Sequence, residues 1–369
     1  MPTDGRGPVD RTSMTLTALA EHEDKAAALL PAEVYDYFAA GAGAETTLHE
    51  SRTAWEHYRV RPRVLRDVGR VDLPTSLLGA EVSSPVVLAP TAFQGLAHAE
   101  GERATARAAA ATGSLLALST RSSTPLEEVA AAGSAPWWFQ VYAMRDRDLT
   151  LRLVERAVSA GARALVLTGD TPYVGIKRRV TGTRIAIPDD HFLVNLQQHL
   201  DPGRADARRA AEQDPTITLE AISWLAEASG LPVLVKGVLR GDEAVACLDA
   251  GAAGVVVSNH GGRQLDRAVP SAIALPEVVD AVAGRAPVLV DGGIRSGLDC
   301  LVALALGASA VMVGRPVVWG LAAGGEAGVV EALEALRADL THVMALTGAA
   351  SLADLDRSLV TATSIWSPL

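Results

Sequence analysis

The stretch Ser258–Gln264 (SNHGGRQ) sets an imidazole, His260, and a guanidinium, Arg263, three residues apart on a turn loosened by two glycines. Histidine offers a base that titrates near neutrality, and arginine offers a planar fork matched to a carboxylate. Facing one pocket, they suit removal of a proton from a substrate held by its carboxylate. Asp170 (LTGD) could orient the imidazole as the third member of a relay. Lys236, in Leu234–Gly237 (LVKG), follows another apolar run, where an ammonium can stabilise an anion.

Two glycine-rich segments suit a phosphate. Asp291–Gly297 (DGGIRSG) and Gly314–Pro316 (GRP) combine glycines, which let backbone N–H groups approach an anion, with Arg295 and Arg315, which add charge and a bidentate fork.

Positioning these groups requires a scaffold, and the chain shows its rhythm. Short apolar, β-branched runs recur eight times: 85–89, 115–119, 138–141, 164–168, 233–236, 255–258, 288–291 and 311–314. Near-continuous apolar runs of this length belong to strands buried on both faces of a parallel sheet. Between them lie helix-forming stretches, most closed by a glycine (Gly113, Gly133, Gly161, Gly230, Gly251, Gly284, Gly307), the usual residue for a left-handed helix stop. One helix also shows a start signal, Thr124 as N-cap and Pro125 in the first turn. Eight even βα units predict a closed α/β barrel, a (β/α)8 TIM barrel, ahead of a doubly wound open sheet.

Pro90, Thr91, Ala92, Ser119, Gln140, Tyr142, Thr168, Asp170, Lys236, Ser258, His260, Asp291, Gly293, Gly314 and Arg315, most of them polar or glycine, then fall at or just after strand ends. That is the rim where barrels of this kind hold their active sites, and a polar ring there implies a large polar ligand. The spacing between the fourth and fifth strands, roughly 65 residues, exceeds the others and predicts an inserted segment over about 172–217. It reads as a mobile lid over the barrel mouth, with a disordered surface insertion as the alternative. Residues from about Leu16 to Leu78 precede the barrel and read as helices plus a short strand on its outside, after a disordered tail over 1–15. Residues 16–369 then form one barrel domain. The helix near Ala32–Ala40 ends at Gly41, and a last long helix stops at Gly348.

Composition narrows the setting. A net charge of −10 over 369 residues argues against a general nucleic-acid or anionic-membrane binder. Cys247 and Cys300 match no metal or redox spacing and read as buried thiols of a reducing compartment. The remaining histidines form no metal-ligand pattern. The first residues carry no apolar signal stretch, which points to the cytoplasm.

Taken together, Ser258–Asp266 (SNHGGRQLD), Leu234–Gly237, Asp291–Arg295, Ala89–Ala92 (APTA) and Val34–Tyr37 (VYDY) resemble the FMN-dependent 2-hydroxy-acid oxidases and dehydrogenases, a group that includes glycolate oxidase, lactate oxidase, mandelate dehydrogenase and 4-hydroxymandelate oxidase. The similarity runs from about Ala18 to Gly348. It implies FMN as cofactor and His260 as base, oriented by Asp170. Arg263 would bind the substrate carboxylate, with Tyr37 and Tyr142 hydrogen-bonding substrate oxygens. Lys236 would sit beside the flavin ring, which Pro90, Thr91, Ala92, Ser119, Gln140 and Thr168 would line. Ser258, Asp291, Gly293, Arg295, Gly314 and Arg315 would hold the ribityl chain and phosphate. A homotetramer is expected on the same ground.

Two departures stand out. Where the resemblance calls for an arginine as second carboxylate contact, Gly175–Gly182 (GIKRRVTG) has Lys177, with Arg178 beside it. Lysine keeps the charge and loses the fork. After Ser119–Thr120, where a tryptophan or another large apolar residue is common, the chain has Arg121, which is expected to face the pocket and recognise an additional anionic or polar group. The expected reaction is oxidation of a 2-hydroxy acid to its 2-keto acid. Oxygen is the expected acceptor, giving hydrogen peroxide, partly on the strength of Ala92. Phe93, Leu96 and Trp138 hint at an aromatic acid such as a mandelate. Oxidation of an amino acid or a natural-product intermediate on the same barrel, or flavin binding without turnover, are the competing readings.

Overall fold

Eight parallel strands close into a barrel in the computed structural model, which describes residues 11–179, 185–200 and 205–363. The strands are β1 Val86–Leu88, β2 Leu116–Ser119, β3 Trp137–Val141, β4 Leu165–Thr168, β5 Val233–Val238, β6 Gly254–Val257, β7 Val288–Asp291 and β8 Ala310–Val313. Each pairs in parallel with its sequence neighbours, and β8 returns to β1. Every strand is followed by a helix on the outer layer, as the alternation predicts, ending with the long Arg315–Thr347 helix that Gly348 terminates in the left-handed conformation.

The two-residue period of a strand explains how this scaffold builds a site. Side chains alternate between the helix-facing layer and the barrel interior. Inside, Ala117, Trp138, Val166, Leu234, Val256 and Leu289 form an apolar layer. Two residues further along the same strands stand Ser119, Gln140, Thr168, Lys236, Ser258 and Asp291. The interior thus changes from hydrocarbon to hydrogen-bonding groups in one step of about 7 Å.

Several expectations need correction. The segment before the barrel does not lie wholly outside it. Thr75–Leu77 and Ala80–Val82 form an antiparallel hairpin whose Leu77, Ala80 and Val82 pack against the interior layer, plugging the N-terminal mouth. Tyr58–Val60 pairs instead with Val360–Ala362, tying the two ends of the chain together. Residues 1–10 of the expected tail lie outside the described residues, and a helix already spans Arg11–Leu29. Six of the seven helix-closing glycines have positive φ, but Gly133 is extended at φ −149°. Trp138 is fully buried in the interior layer, so it is core rather than pocket.

Thr124 does not cap the Leu126–Ala132 helix: the helix starts one residue later than expected, with Pro125 at its N-cap, and Leu126 N donates to Asn195 Oδ1 from the inserted segment at 2.8 Å, while the Thr124 hydroxyl donates to Glu102. Glu102, fully buried, accepts from Gln94 N (3.0 Å), Ser123 N (2.9 Å), Ser123 Oγ (2.8 Å) and Thr124 Oγ1 (3.0 Å). One carboxylate thereby clamps the loop after β1 to the loop after β2, both of which reach the site. Glu102→Ala would strand several buried donors. It is expected to lower unfolding stability by about 3 kcal/mol or more, read as a drop in the urea midpoint.

Candidate active site

The polar rim encloses a cavity of about 450 Å³, within the range of small-ligand sites. His260 stands on its wall in a left-handed conformation, φ 58°, that side chains seldom adopt. Its backbone N–H donates to Ser258 Oγ at 3.0 Å. Such strain costs about 1–3 kcal/mol and persists only where the surroundings over-determine it. Here they do: Asn259 reaches Ser51 Oγ at 2.8 Å, and Asp266 accepts from Ala44 N and Thr47 N at 2.7 and 3.1 Å. The N-terminal extension therefore buttresses the histidine turn.

His260 Nδ1 lies 3.0 Å from Asp170 Oδ1. A carboxylate at that nitrogen keeps the proton on Nδ1 and leaves the Nε2 lone pair as acceptor. Burial would raise the Asp170 carboxyl, but the charge of His260, the hydrogen bond to it and the charge of Lys236 together hold it below its ordinary value. Asp170 can sit there because Lys236 is followed by Gly237 at φ 108°, in a β5 bulge; a Cβ on Gly237 would lie 2.6 Å from Asp170 Cβ. Asp170→Asn keeps the shape and removes the charge that favours an imidazolium. Turnover is expected to fall about tenfold or more, because the imidazolium formed in the reaction loses its stabilising charge. An unchanged rate would mean that the carboxylate does not act on His260.

Lys236 Nζ donates to Ser258 Oγ at 2.8 Å and pairs with Asp291 Oδ2 at 2.7 Å. Asp291 Oδ1 is buried with no partner. Beside it, Gln140 joins Ser119 and Thr168 through bonds of 3.2 and 2.9 Å, a relay of amide and hydroxyl groups along one wall. Pro90, Thr91, Ala92, Gly293 and Gly314 complete this part of the lining, whereas Ser258 acts from behind it.

Arg295 and Arg315 stand half-buried where the loops after β7 and β8 meet. Arg295 Nε has no partner, and burial pulls this guanidinium down to about 10. Arg315 is held by the carbonyls of Phe38 and Gly261, both at 3.0 Å. Neither forms a salt bridge with a described carboxylate. Half-buried cations without counter-ions favour an anionic ligand.

At the other end stand Arg263, Tyr37 and Tyr142. Arg263 Nη1 donates to the carbonyls of Phe38 and Ala40 at 3.1 Å each, and its guanidinium lies 5.3 Å from the Tyr37 ring centroid. Burial raises both tyrosines, Tyr142 strongly, so each remains a hydroxyl donor. Lys177 lines the cavity, while Arg178 is exposed and lies outside the lining. Residues 180–182 of that segment fall outside the described residues. Asp170 works through His260 and does not line the cavity itself.

The inserted segment does cover the mouth: Ile187, Phe192, Arg208, Glu212 and Gln213 line the cavity, and Asp214 N is anchored to Ala143 O at 2.8 Å. Sequence reasoning singles out none of these, although Phe192, the one phenylalanine of a polar insertion, is a usable signal. Phe93 lines the cavity as expected of a pocket residue, and Leu96 does not.

Comparison with known proteins follows the same geometry. The FMN-dependent dehydrogenase family model matches residues 26–362. An L-lactate oxidase of Nostoc sp. is 46% identical over 355 residues, 93% of this chain and 97% of that protein. A glycolate oxidase of Spinacia oleracea is 43% identical over 357 residues, 95% of this chain and 96% of that protein. Among solved structures, a mandelate oxidase variant with the C4a-OH-FMN adduct matches with a TM-score of 0.85 at 41% identity, covering 94% of this chain and 100% of that one.

Proposed function

The chain belongs to the FMN-dependent dehydrogenase family, and on that premise we propose how its cavity works: it oxidises a 2-hydroxy acid to the 2-keto acid, with His260 as base and Arg263 as carboxylate anchor. The observation that carries this reading is one cavity that joins a carboxylate-oriented imidazole, a guanidinium with donors to spare, and two half-buried cations with no counter-ion among the described carboxylates.

The residues present fit FMN. Arg295 and Arg315 supply unneutralised positive charge for its phosphate, and the unpartnered oxygen of Asp291 can accept from a hydroxyl of its ribityl chain. Lys236 and the Gln140–Thr168 relay offer donors to a polar ring edge. When bound, FMN accepts the two electrons that leave the substrate. Arg263 grips the substrate carboxylate, with the Lys177 ammonium as a second positive group. Tyr37 and Tyr142 hydrogen-bond the remaining oxygens, fixing Cα towards the barrel interior. His260 Nε2 takes one proton, that of the hydroxyl if hydride leaves Cα, or that of Cα if a carbanion forms. Asp170 stabilises the imidazolium produced, and Lys236 offsets negative charge accumulating beside it. The lid residues keep water from this exchange.

Oxygen serves as the final acceptor in this reading, giving hydrogen peroxide. Support comes from relatives that carry the name oxidase. Two unpaired, buried thiols, Cys247 and Cys300, favour the cytoplasm as a reducing setting, and among the described residues no helix is long and apolar enough to cross a membrane. The exposed apolar side chains of Tyr173, Val174, Ile176 and Leu265 favour a homo-oligomer, a tetramer by family resemblance, in which they are covered. Incubation of the FMN-loaded protein with a panel of 2-hydroxy acids in air should yield equal amounts of 2-keto acid and peroxide. No keto acid from any member of the panel would overturn the proposal.

A further inference from the structure

Arg121 is a cation of the cavity that neither the carboxylate anchor nor the phosphate end employs and, unlike Arg208 and Lys236, it has no salt-bridge partner among the described carboxylates. It is 5% exposed and lines the cavity from the loop after β2. Its Nη2 donates to the lid carbonyl of Ala211, and its plane stacks on Phe192, 4.1 Å from the ring centroid. Its Nη1 is buried with no acceptor. The other charges at this end are matched: Arg208 pairs with Asp189 at 2.5 Å, and Glu212 with Arg145 at 3.5 Å. Arg121 forms no salt bridge with any described carboxylate.

Burial pulls Arg121 down to about 10, which still leaves it charged at neutral pH. A buried guanidinium with an unused donor costs several kcal/mol unless something neutralises it. Arg121 and Arg263 line the same cavity as Tyr37 and Tyr142, so the two guanidinium groups share one substrate space. Phe192 and the Ala211 carbonyl fix the Arg121 plane, so little side-chain freedom remains to be lost when an anion arrives. A plain alkyl or phenyl side chain offers Nη1 no acceptor.

We propose that Arg121 binds a second carboxylate on the substrate, so that the preferred substrates are 2-hydroxy diacids. The assignment rests on the 2-hydroxy-acid reading of the cavity and names the substrate class for it. Arg263 would take the carboxylate next to the reacting carbon, and Arg121 the carboxylate at the far end.

The test uses FMN-loaded full-length protein and acids matched in carbon number: 2-hydroxyglutarate against 2-hydroxypentanoate, and 2-hydroxyadipate against 2-hydroxyhexanoate. The wild type should show the higher kcat/KM for at least one diacid of these pairs. Arg121→Gln should lower that diacid-to-monoacid ratio by about 100-fold, the usual scale for losing a buried charge pair, and Arg121→Lys should retain part of it. Calorimetric binding of 2-oxoglutarate and 2-oxopentanoate gives a second reading that needs no turnover. If no hydroxy acid is oxidised but the dianion binds tighter in an Arg121-dependent way, the oxidase reading and the substrate class fail with it, and the second-carboxylate role of Arg121 stands. Turnover with a wild-type preference for monoacids would overturn the assignment and leave the oxidase reading intact. So would Arg121→Gln slowing both acids in parallel, which would make Arg121 a lid anchor only.

Discussion

His260→Gln should slow the anaerobic reduction of bound FMN by a saturating 2-hydroxy acid by about 10²–10⁴-fold, the usual contribution of a positioned general base. The variant should remain yellow, because the groups assigned to the cofactor, Lys236, Asp291, Arg295 and Arg315, are untouched. Glutamine approximates the size of histidine and can still donate to Asp170. Its amide has no nitrogen lone pair to receive a proton, so what is lost is basicity rather than packing. The strained backbone at this position, φ 58°, is no easier for glutamine than for histidine, and fold stability should change little. A rate within tenfold of wild type would place the base elsewhere. Loss of the yellow colour would instead show that the turn from Ser258 to Gly262 had collapsed, a structural effect that the rate alone does not separate.

Arg263→Lys should lower kcat/KM by about 10²–10³-fold, and the loss should depend on the substrate carboxylate. Arg263 Nη1 is spent on the carbonyls of Phe38 and Ala40, which leaves the rest of the guanidinium fork to meet an anion. A lysine ammonium placed there must choose between the two carbonyls and the substrate, and it has no planar pair of donors to offer. The matching control is the methyl ester of the same acid. If Arg263 recognises charge, wild type should discriminate strongly against the ester and Arg263→Lys much less so. Equal losses on acid and ester would mean that Arg263 acts only by bracing the Phe38–Ala40 segment, and the carboxylate anchor would have to be sought at Lys177.

The chemistry of the rim was legible in the sequence because barrels concentrate it at one place. Once β4, β6 and β7 were recognised as buried apolar runs, Asp170, His260 and Asp291 were bound to emerge together at their C-terminal ends, far apart though they stand in the chain. What was not legible depends on which way a short apolar run faces. Trp137 and Trp138 are adjacent and equally hydrophobic, yet one packs against the outer helices and the other fills the barrel, and only strand register decides. The hairpin at Thr75–Val82 reads like any edge strand, and its role as a plug follows from the empty volume that a closed barrel leaves at its N-terminal mouth. Thr124 has the residue type of a helix cap, but the helix starts a residue later and the distant Asn195 side chain accepts from its first N–H at Leu126. Tertiary hydrogen bonds of this kind override local propensity and leave no mark on local sequence. The lid residues were hidden for a similar reason. Ile187 and Phe192 sit in short apolar runs, Ile185–Ile187 and Phe192–Val194, of a mostly polar insertion, and their meaning appears only when the segment folds over Arg121.

The most direct measurement mixes the FMN-loaded protein with 2-hydroxy acids, diacids among them, under strict exclusion of oxygen, and follows the visible absorption of the flavin. With a substrate of the right class the yellow colour should vanish in a single exponential and return on admission of air, with one peroxide formed for each flavin reoxidised. A protein that stays yellow through the whole panel, although it binds FMN tightly, would contradict the account: the cavity would then hold the cofactor without performing the oxidation that its imidazole and guanidinium are placed to carry out.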